Sequence, residues 1–384
     1  MRIGIIHNYY RSEIPSGENL TVDQIATNLR NLGHTVSFYS ETSDRYNKNL
    51  LVQALRIIDL FLPIQNKKFR EWICEQDALQ IHNYFPLIGR FELRELSQCK
   101  IPITRVIHNY RKTCLSGNHF RNNADCQKCS LQKFRSGIKN KCYQKSFWKS
   151  LVVSKISKKI NKFELAHDMH FVAISEYIEK YLIQMGIAQE RIWLIPNGIG
   201  PLRRINENAK EILFVSRLEP EKGILLAIET WQEYSELPKL NIVGTGSLYD
   251  YVRKSTAQLA NVELYGALNA AEVESVAAKC QTLLAPLSWQ EPFGRTLVEA
   301  LSRGQAIVAT RKGIATFIVR EDVNGFFCEM NTKSLMSAIM RSQDLDFNNQ
   351  VSYSTAIWKN SFSTDVIIQF WRNYYNSLLG FNVK

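Results

Sequence analysis

The sequence predicts an α/β protein of two doubly wound, Rossmann-like domains, and three observations carry that expectation. The chain opens with an apolar strand, a turn-rich loop, a helix and a second strand, the start of a doubly wound sheet. After a break at Pro196-Asn197-Gly198-Ile199-Gly200-Pro201 the same alternation begins again. At 384 residues the chain is also too long for one typical core.

Residues 2–7 carry Ile3, Ile5 and Ile6 and read as the first strand, ending in a loop with Pro15, Ser16 and Gly17. Residues 18–32 follow with Leu20, Ile25, Leu29 and Leu32 at helical spacing, and Gly33 stands where a helix end belongs. Residues 35–40 are the second strand. Ligands of such sheets bind beyond the carboxyl ends of the strands, so the Gly17 loop is expected to face the crevice. Residues 49–72 read as helix covering the sheet, with a basic patch at Lys67, Lys68 and Arg70 that would also suit a membrane surface. Residues 77–82 and 103–108 are strands that each end in His-Asn, delivering His82 and His108 to one edge. Residues 171–174 form a further strand, with Ser175 as a helix N-cap.

In the second half, residues 211–216 are strand, 217–223 a charged loop and 224–234 helix. A strand to Val243, the loop Gly244-Thr245-Gly246 and a strand near Val262 continue the pattern. Gly244 and Gly246 lack the third glycine of a dinucleotide fingerprint, which makes them a weak signal. Residues 306–309 are a late strand and 363–379 a last helix. Asp344 and Asp346 lie in a polar connector and read as solvated surface. The expected division is 1–200, then 201–360, then a terminal helix, 361–384, that packs back on the first domain. A cysteine-bearing basic insert occupies about 110–150.

Composition narrows the function classes. An apolar fraction of 45% with 22% charged residues is ordinary for a globular protein. No run approaches the roughly 18–20 apolar residues of a membrane span, and residues 1–10 do not read as a signal peptide. A cytoplasmic protein is expected. The net charge of +12 is concentrated: between Lys100 and Lys162 stand sixteen Lys or Arg and one acidic residue, Asp125. Nucleic acid, an anionic bilayer surface and a phosphorylated substrate are all candidates for such a stretch. There is no P-loop lysine motif and no nucleophile elbow.

Of the eight cysteines, Cys74, Cys99, Cys280 and Cys328 are scattered and expected in the core. Cys114, Cys126, Cys129 and Cys142 form a group with one Cys-x-x-Cys, and four thiolates could hold a structural zinc. His119 is a substitute ligand. Reduced thiols and a redox pair remain open beside the zinc. The charge of the insert is extended by Lys155, Lys158, Lys159 and Lys162 and suits an anionic partner.

The densest chemistry lies in Ser288-Trp289-Gln290-Glu291-Pro292-Phe293-Gly294-Arg295-Thr296-Leu297-Val298-Glu299-Ala300-Leu301, after the apolar run 282–286. It reads as strand, loop with Glu291, helix start at Pro292, then Glu299 two turns in. A helix N-terminus suits a phosphate, and carboxylates on either side of it can bind sugar hydroxyls.

These residues resemble the retaining glycosyltransferases of family 4 (glycosyl transferases group 1). The most specific part is Glu-Pro-Phe-Gly-Arg-Thr-Leu-Val-Glu-Ala, beginning at Glu291. Support comes from Ser216-Arg217-Leu218-Glu219-Pro220-Glu221-Lys222-Gly223, Pro196-Asn197-Gly198 and Gly33-His34-Thr35-Val36. The resemblance spans nearly the whole chain. It implies the GT-B fold, two Rossmann-like domains facing a central cleft, and a nucleotide-sugar donor. It further implies that Arg217 and Lys222 grip the diphosphate, with Gly294, Arg295 and Thr296 offering backbone N–H groups. Glu299 would bind the ribose, Glu291 the transferred sugar, and His108 would be the active-site histidine, with the Gly17 loop closing over the diphosphate. Many members carry two adjacent glycines where this chain has Ser16-Gly17.

The implied mechanism needs no metal for catalysis. Arg217, Lys222 and the helix N-terminus would stabilise the departing diphosphate. Front-face attack would retain configuration, the acceptor proton passing to the leaving phosphate. A uridine donor is preferred over a guanosine one, and the acceptor is expected to be a glycan or lipid-linked saccharide of surface polysaccharide synthesis, met in the cytoplasm or at the inner membrane face. The alternatives are a sugar-nucleotide epimerase or phosphorylase on the same fold, and a nucleic-acid-binding protein using the insert.

Overall fold

The computed structural model describes residues 1–10, 16–42, 66–84, 90–378 and 380. Pro15 and residues 49–65 of the expected helical stretch lie outside them. The chain divides into two units. The first holds Met1–Asn118, Gln127–Pro196 and Ile368–Lys384, and the second His119–Cys126 and Asn197–Ile367.

The first unit contains β1 (Arg2–Tyr9), β2 (Thr35–Thr42), β3 (Ala78–Ile81) and β4 (Ile103–Ile107). The two-residue strands β5 (Phe120–Arg121) and β6 (Ala124–Asp125) belong to the second unit, and β7 (His170–Ala173) and β8 (Ile192–Leu194) complete the first sheet. That sheet runs β2-β1-β3-β4-β7-β8, all parallel, and reverses its order between β1 and β3. Parallel strands are covered on both faces, so Ile3, Ile5, Ile6, Ala78, Leu79 and Ile81 are fully buried in near-continuous runs. The helix Gly17–Asn31 begins at Ser16, whose side chain accepts from the Asn19 N–H, and Gly33 follows its end at φ 85.

The helix Thr364–Leu378 ends within this unit. Its Trp371, Tyr374 and Tyr375 are buried, the Tyr374 hydroxyl bonds Thr104 Oγ1 on β4, and its ring meets Trp193 on β8 edge-on at 5.1 Å. Aromatic side chains of this kind bury roughly 150–250 Å² each, so the terminal helix carries a large share of this unit's apolar packing.

The second unit contains β9 (Glu211–Val215), β10 (Leu240–Val243), β11 (Val262–Gly266), β12 (Cys280–Ala285), β13 (Ala306–Ala309) and β14 (Gly325–Phe327). The order is β11-β10-β9-β12-β13-β14, again all parallel, with the reversal between β9 and β12. Phe214, Leu226, Trp231, Ile242, Leu284 and Val308 share one core cluster with Leu335 and Ile339 of the helix Thr332–Gln343.

Asp344 and Asp346 are exposed, as expected, and the Asp346 side chain also accepts from the Asn349 N–H at 2.7 Å and starts the helix Phe347–Ser361. Cys280 and Cys328 are buried, but Cys74 is exposed, because it ends a helix on the side away from Phe69 and Ile73. Gly244 and Gly246 serve packing: a Cβ on them would stand 1.9 Å from Ser216 O and 2.5 Å from Leu218 O.

Candidate functional site

In the second unit the strand ends at the switch point carry two loops, one after β9 and one after β12. They are stitched together. Ser288 N–H donates to Glu221 O at 3.0 Å, and the loop after β9 is tied as well to the loop after β10, Leu218 N–H donating to Thr245 O at 2.9 Å. Gly223 lies at φ 80, and a Cβ there would come within 1.9 Å of Pro286 O, so only glycine lets the loops approach this closely. Pro220–Lys222 forms a single 3₁₀ turn that carries Lys222 over this junction.

Lys222 Nζ meets Glu291 Oε2 at 2.5 Å and sits 4.7 Å from the centre of the Trp289 ring. Both partners are mostly shielded, at 14% and 13% side-chain exposure, so water weakens the attraction less than at a surface pair. The Glu291 backbone is held too: its carbonyl accepts from Ile314 N–H at 3.3 Å, and Gly313 N–H donates to Gln290 Oε1 at 2.9 Å. Arg217 is half-exposed, its guanidinium 3.8 Å from Glu221. It is therefore reachable by an anion.

The helix after Glu291 is Arg295–Arg303, later than the start at Pro292 expected from sequence. Gly294 adopts φ 65, outside helical space, and so delays the start. No side chain caps this end, which leaves the first-turn N–H groups of Arg295 and Thr296 to water or a ligand. A Cβ on Gly294 would lie 2.8 Å from Leu297 Cδ1, a side-chain end that can shift, so it is the left-handed φ that favours glycine here. Within the helix, Arg295 Nε donates to Glu299 Oε1 at 2.9 Å, while Arg295 Nη1 is buried without a hydrogen-bond partner. Arg303, which no motif marks, is only 1% exposed; it pairs with Glu274 and stands 3.9 Å from Glu299. Its one signal in the sequence is the spacing of four from Glu299 on one helix face.

The first unit gathers imidazoles at its own switch point. His7 stands near the end of β1, and His82 and His108 follow β3 and β4. His82 Nδ1 and His108 Nε2 are 2.8 Å apart with the rings stacked, and His7 meets His82 edge-on at 6.0 Å between centroids. His82 Nε2 is 3.1 Å from Gln80 Oε1. In this amide orientation His82 carries its proton on Nε2, and Nδ1 accepts from His108 Nε2–H. Burial pushes His108 down to about 4 and holds His82 well below 6.5; the Arg105 guanidinium acts in the same direction on both. The imidazoles are neutral at pH 7.

Arg105 also fixes the strand ends that carry these rings, donating to the carbonyls of Ile81, His82 and Val106. Its charge is balanced by buried Glu164, which pairs with Lys112 as well. Glu18 accepts from the Tyr10 hydroxyl at 3.1 Å and from Asn109 Nδ2 at 3.3 Å, so it stands beside the residue after His108. Gly17 is the first helical residue and is exposed, and a Cβ on it would have nothing within 4 Å. Of the sequence candidates in this unit, His108 and His82 come together; His7, Gln80 and Glu18 carried no motif to find them by.

In the insert, Cys129 and Cys142 pack against Leu115, Phe134 and Val153, and Cys114 Sγ lies 3.2 Å from Ser116 Oγ. Among the described residues no three His, Cys, Asp or Glu are grouped to hold a metal ion. His119 lies at φ 51 and is buried, its imidazole pushed down to about 4 by desolvation. The hairpin β5–β6 is held within the second unit by Asp125, which meets Lys312 Nζ at 2.6 Å and Gln290 Nε2 at 3.1 Å.

The chain is similar to known proteins along most of its length. Residues 15–201 match the family model described as Glycosyltransferase Family 4, and 202–345 that described as Glycosyl transferases group 1. An uncharacterized glycosyltransferase of Methanocaldococcus jannaschii is 30% identical over 173 residues, 44% of this chain and 48% of that one. An uncharacterized 42.6 kDa protein in the cps region of Klebsiella pneumoniae is 30% identical over 213 residues, 52% of each. The chain thus spans about half the length of these two relatives. A phosphatidyl-myo-inositol mannosyltransferase of Mycobacterium tuberculosis is 23% identical across 88% of this chain and 85% of its own. Two solved structures share the fold: Anabaena HepE in complex with UDP and glucose (TM-score 0.65, 18% identity, 98% and 100% covered), and sucrose-phosphate synthase of Thermosynechococcus elongatus (TM-score 0.69, 14% identity, 99% of each).

Proposed function

We propose, from the premise that this chain belongs to the family 4 glycosyltransferases of group 1 and has the GT-B fold, that it is a retaining hexosyltransferase. It moves a sugar from a UDP-sugar to a lipid-linked saccharide during surface polysaccharide synthesis. The observation that carries this reading is the junction of Lys222, Glu291 and the uncapped helix Arg295–Arg303 in one unit. Lys222, a compact ammonium, and Arg217, a guanidinium fork, meet the two phosphates from one loop. The first-turn N–H groups of Arg295 and Thr296 meet them from the other. Glu299, oriented by Arg295 and Arg303, accepts the ribose hydroxyls.

Lys222 is held by Glu291. Donor binding gives Lys222 an anionic phosphate and releases a Glu291 oxygen to accept from hydroxyls of the transferred sugar. As the glycosidic C–O bond breaks, negative charge grows on the leaving diphosphate and positive charge on the sugar. The cations and N–H groups are already in place for the first of these. The acceptor hydroxyl attacks from the face the diphosphate leaves, and its proton passes to the departing phosphate oxygen. His108, neutral and hydrogen-bonded to His82, is the residue of the first unit assigned to this step. UDP is favoured because the HepE neighbour was solved with UDP. The phosphatidyl-myo-inositol mannosyltransferase relative supports a lipid-borne acceptor.

Thermal stabilisation by UDP, GDP and ADP tests the reading. At ligand concentrations near 100 times Kd, a specific diphosphate should contribute about 2.7 kcal/mol, insensitive to EDTA and absent in Glu299→Ala. Stabilisation by none of the three would sink it.

A further inference from the structure

The helix Phe147–Ala166 begins with two bare aromatic side chains. Trp148 is 72% exposed and Phe147 43%, in a protein whose other described tryptophans are buried or half-buried. Their rings meet edge-on, 5.4 Å apart at 84°. Leaving both in water costs apolar hydration that an ordinary surface position avoids. Trp148, Lys155, Lys159 and Lys162 are spaced so that they share one stripe of the helix, and Lys158 and exposed Leu165 flank it. The opposite face packs inward through Val153, Ile156, Phe163 and Glu164.

Charge points the same way. From Gln127 to Phe163 there are eleven Lys or Arg and no Asp or Glu. The first helical turn carries Lys149 and no acidic residue, the reverse of what a helix dipole favours. An anionic layer against that end would offset the mismatch. Before the helix, Lys141, Gln144 and Lys145 all hold left-handed backbone, at φ 50, 50 and 54. The turn that presents the aromatic pair is therefore a specified shape and not a slack loop.

We propose that Phe147 and Trp148 enter the headgroup region of an anionic bilayer while the surrounding lysines contact its lipid phosphates. Tryptophan suits the membrane–water boundary because its ring is apolar and its N–H polar. Lysine stems lie along apolar surface with the ammonium in water or at phosphate, and clustered basic residues add attraction to an anionic leaflet. A nucleic acid fits less well: perpendicular rings form no parallel platform for bases, and the stripe is convex helix with no groove to track a strand. The proposal gives a docking face to the lipid-linked acceptor reading, on which its biological purpose rests. It is measured without catalysis.

The full chain is sedimented with vesicles of phosphatidylcholine alone or mixed equally with phosphatidylglycerol, at about 0.1 M salt where screening is moderate. Binding is expected to the mixed vesicles and not to the neutral ones. Phe147→Ser with Trp148→Ser should weaken it by about tenfold or more, and Lys149, Lys158 and Lys162 to Ser together by a similar factor. Brominated lipid should quench tryptophan emission in the parent chain and much less in Trp148→Phe. That conservative variant should still bind, which keeps the test sound if the double variant folds poorly. UDP stabilisation should be unchanged in all these variants, so loss of docking and loss of the donor reading are separate results. The proposal is overturned if the parent chain ignores anionic vesicles, if the aromatic variants bind as the parent does, or if a short single-stranded oligonucleotide binds through the same pair and displaces the vesicles.

Discussion

At the switch point of the first sheet the strand ends carry neutral imidazoles, crowded against one another and bonded ring to ring. At the switch point of the second they carry cations and carboxylates already paired, Lys222 with Glu291 and Arg295 with Glu299. The topologies differ as well, β2-β1-β3-β4 on one side and β11-β10-β9-β12 on the other. Two sheets of one architecture thus prepare opposite environments. The second stores full charge in a form that an incoming anion can exchange with. The first keeps its imidazoles uncharged through desolvation. What separates them is the side chains at the strand ends, since each sheet offers a crevice of the same kind at its own switch point.

The largest effect should come from breaking the charged side. Lys222→Met is expected to lower transfer by about 10³-fold and to abolish stabilisation by UDP, in steady-state assays and thermal melts. A residual rate within tenfold of the parent would place the phosphate cations elsewhere. On the neutral side, His108→Ala should lower kcat by about 10²-fold, and His82→Gln, acting through His108, by about tenfold with KM little changed. A drop in kcat for His82→Gln without any change in the pH profile would reduce His82 to a packing role.

The same imidazoles predict how the protein answers acid. Folded His108 sits near 4 against an ordinary 6.5, and His7 and His82 are lowered too, again chiefly by desolvation. Between those values the unfolded chain binds protons that the folded chain does not. Their contribution is therefore fully present above about pH 6.5 and is lost as pH falls toward 4. Melting temperature followed from pH 7.5 to 5 should fall, and fall less in His82→Gln.

The smallest effects sharpen the comparison through glycine. Gly223→Ala should cost about 3 kcal/mol, because the new methyl meets Pro286 O. Gly17→Ala should change stability by less than about 0.5 kcal/mol, its surroundings being open. If donor affinity falls in Gly17→Ala nonetheless, the backbone there is approached by ligand; unchanged affinity would remove Gly17 from the site.

Both sheets were legible because buried parallel strands read as short apolar runs and the intervening helices have clear periodicity, as in residues 2–40. The charged cluster of the second unit was legible for a different reason: Arg217, Lys222, Glu291 and Glu299 lie on two short continuous stretches. The imidazole cluster of the first unit was legible in part: two strands ending in His-Asn announced His82 and His108 at one edge, whereas His7 and Gln80 join them only through sheet order, which no spacing along the chain announces. The start of the helix at Arg295 was misplaced because proline at a first turn is a common rule, whereas the left-handed Gly294 that delays the start carries no signal of its own in the sequence. The cysteines left zinc, reduced thiols and a redox pair open for another reason. Thiols at metal-like spacing are also small apolar fillers, and Cys129 and Cys142 lie against Leu115 and Phe134.

The terminal helix that seats Trp371, Tyr374 and Tyr375 in the first unit has a consequence for the ribosome. Strands β1 to β8 leave the exit tunnel long before these rings do. Until they arrive, Thr104 and the Trp193 ring lack the partners they have in the finished protein. The first unit is thus begun first and finished last, and the second unit is made entirely within that interval. A chain stalled or cut before Thr364 would present an apolar seat with nothing to fill it, the kind of surface that chaperones hold and proteases find.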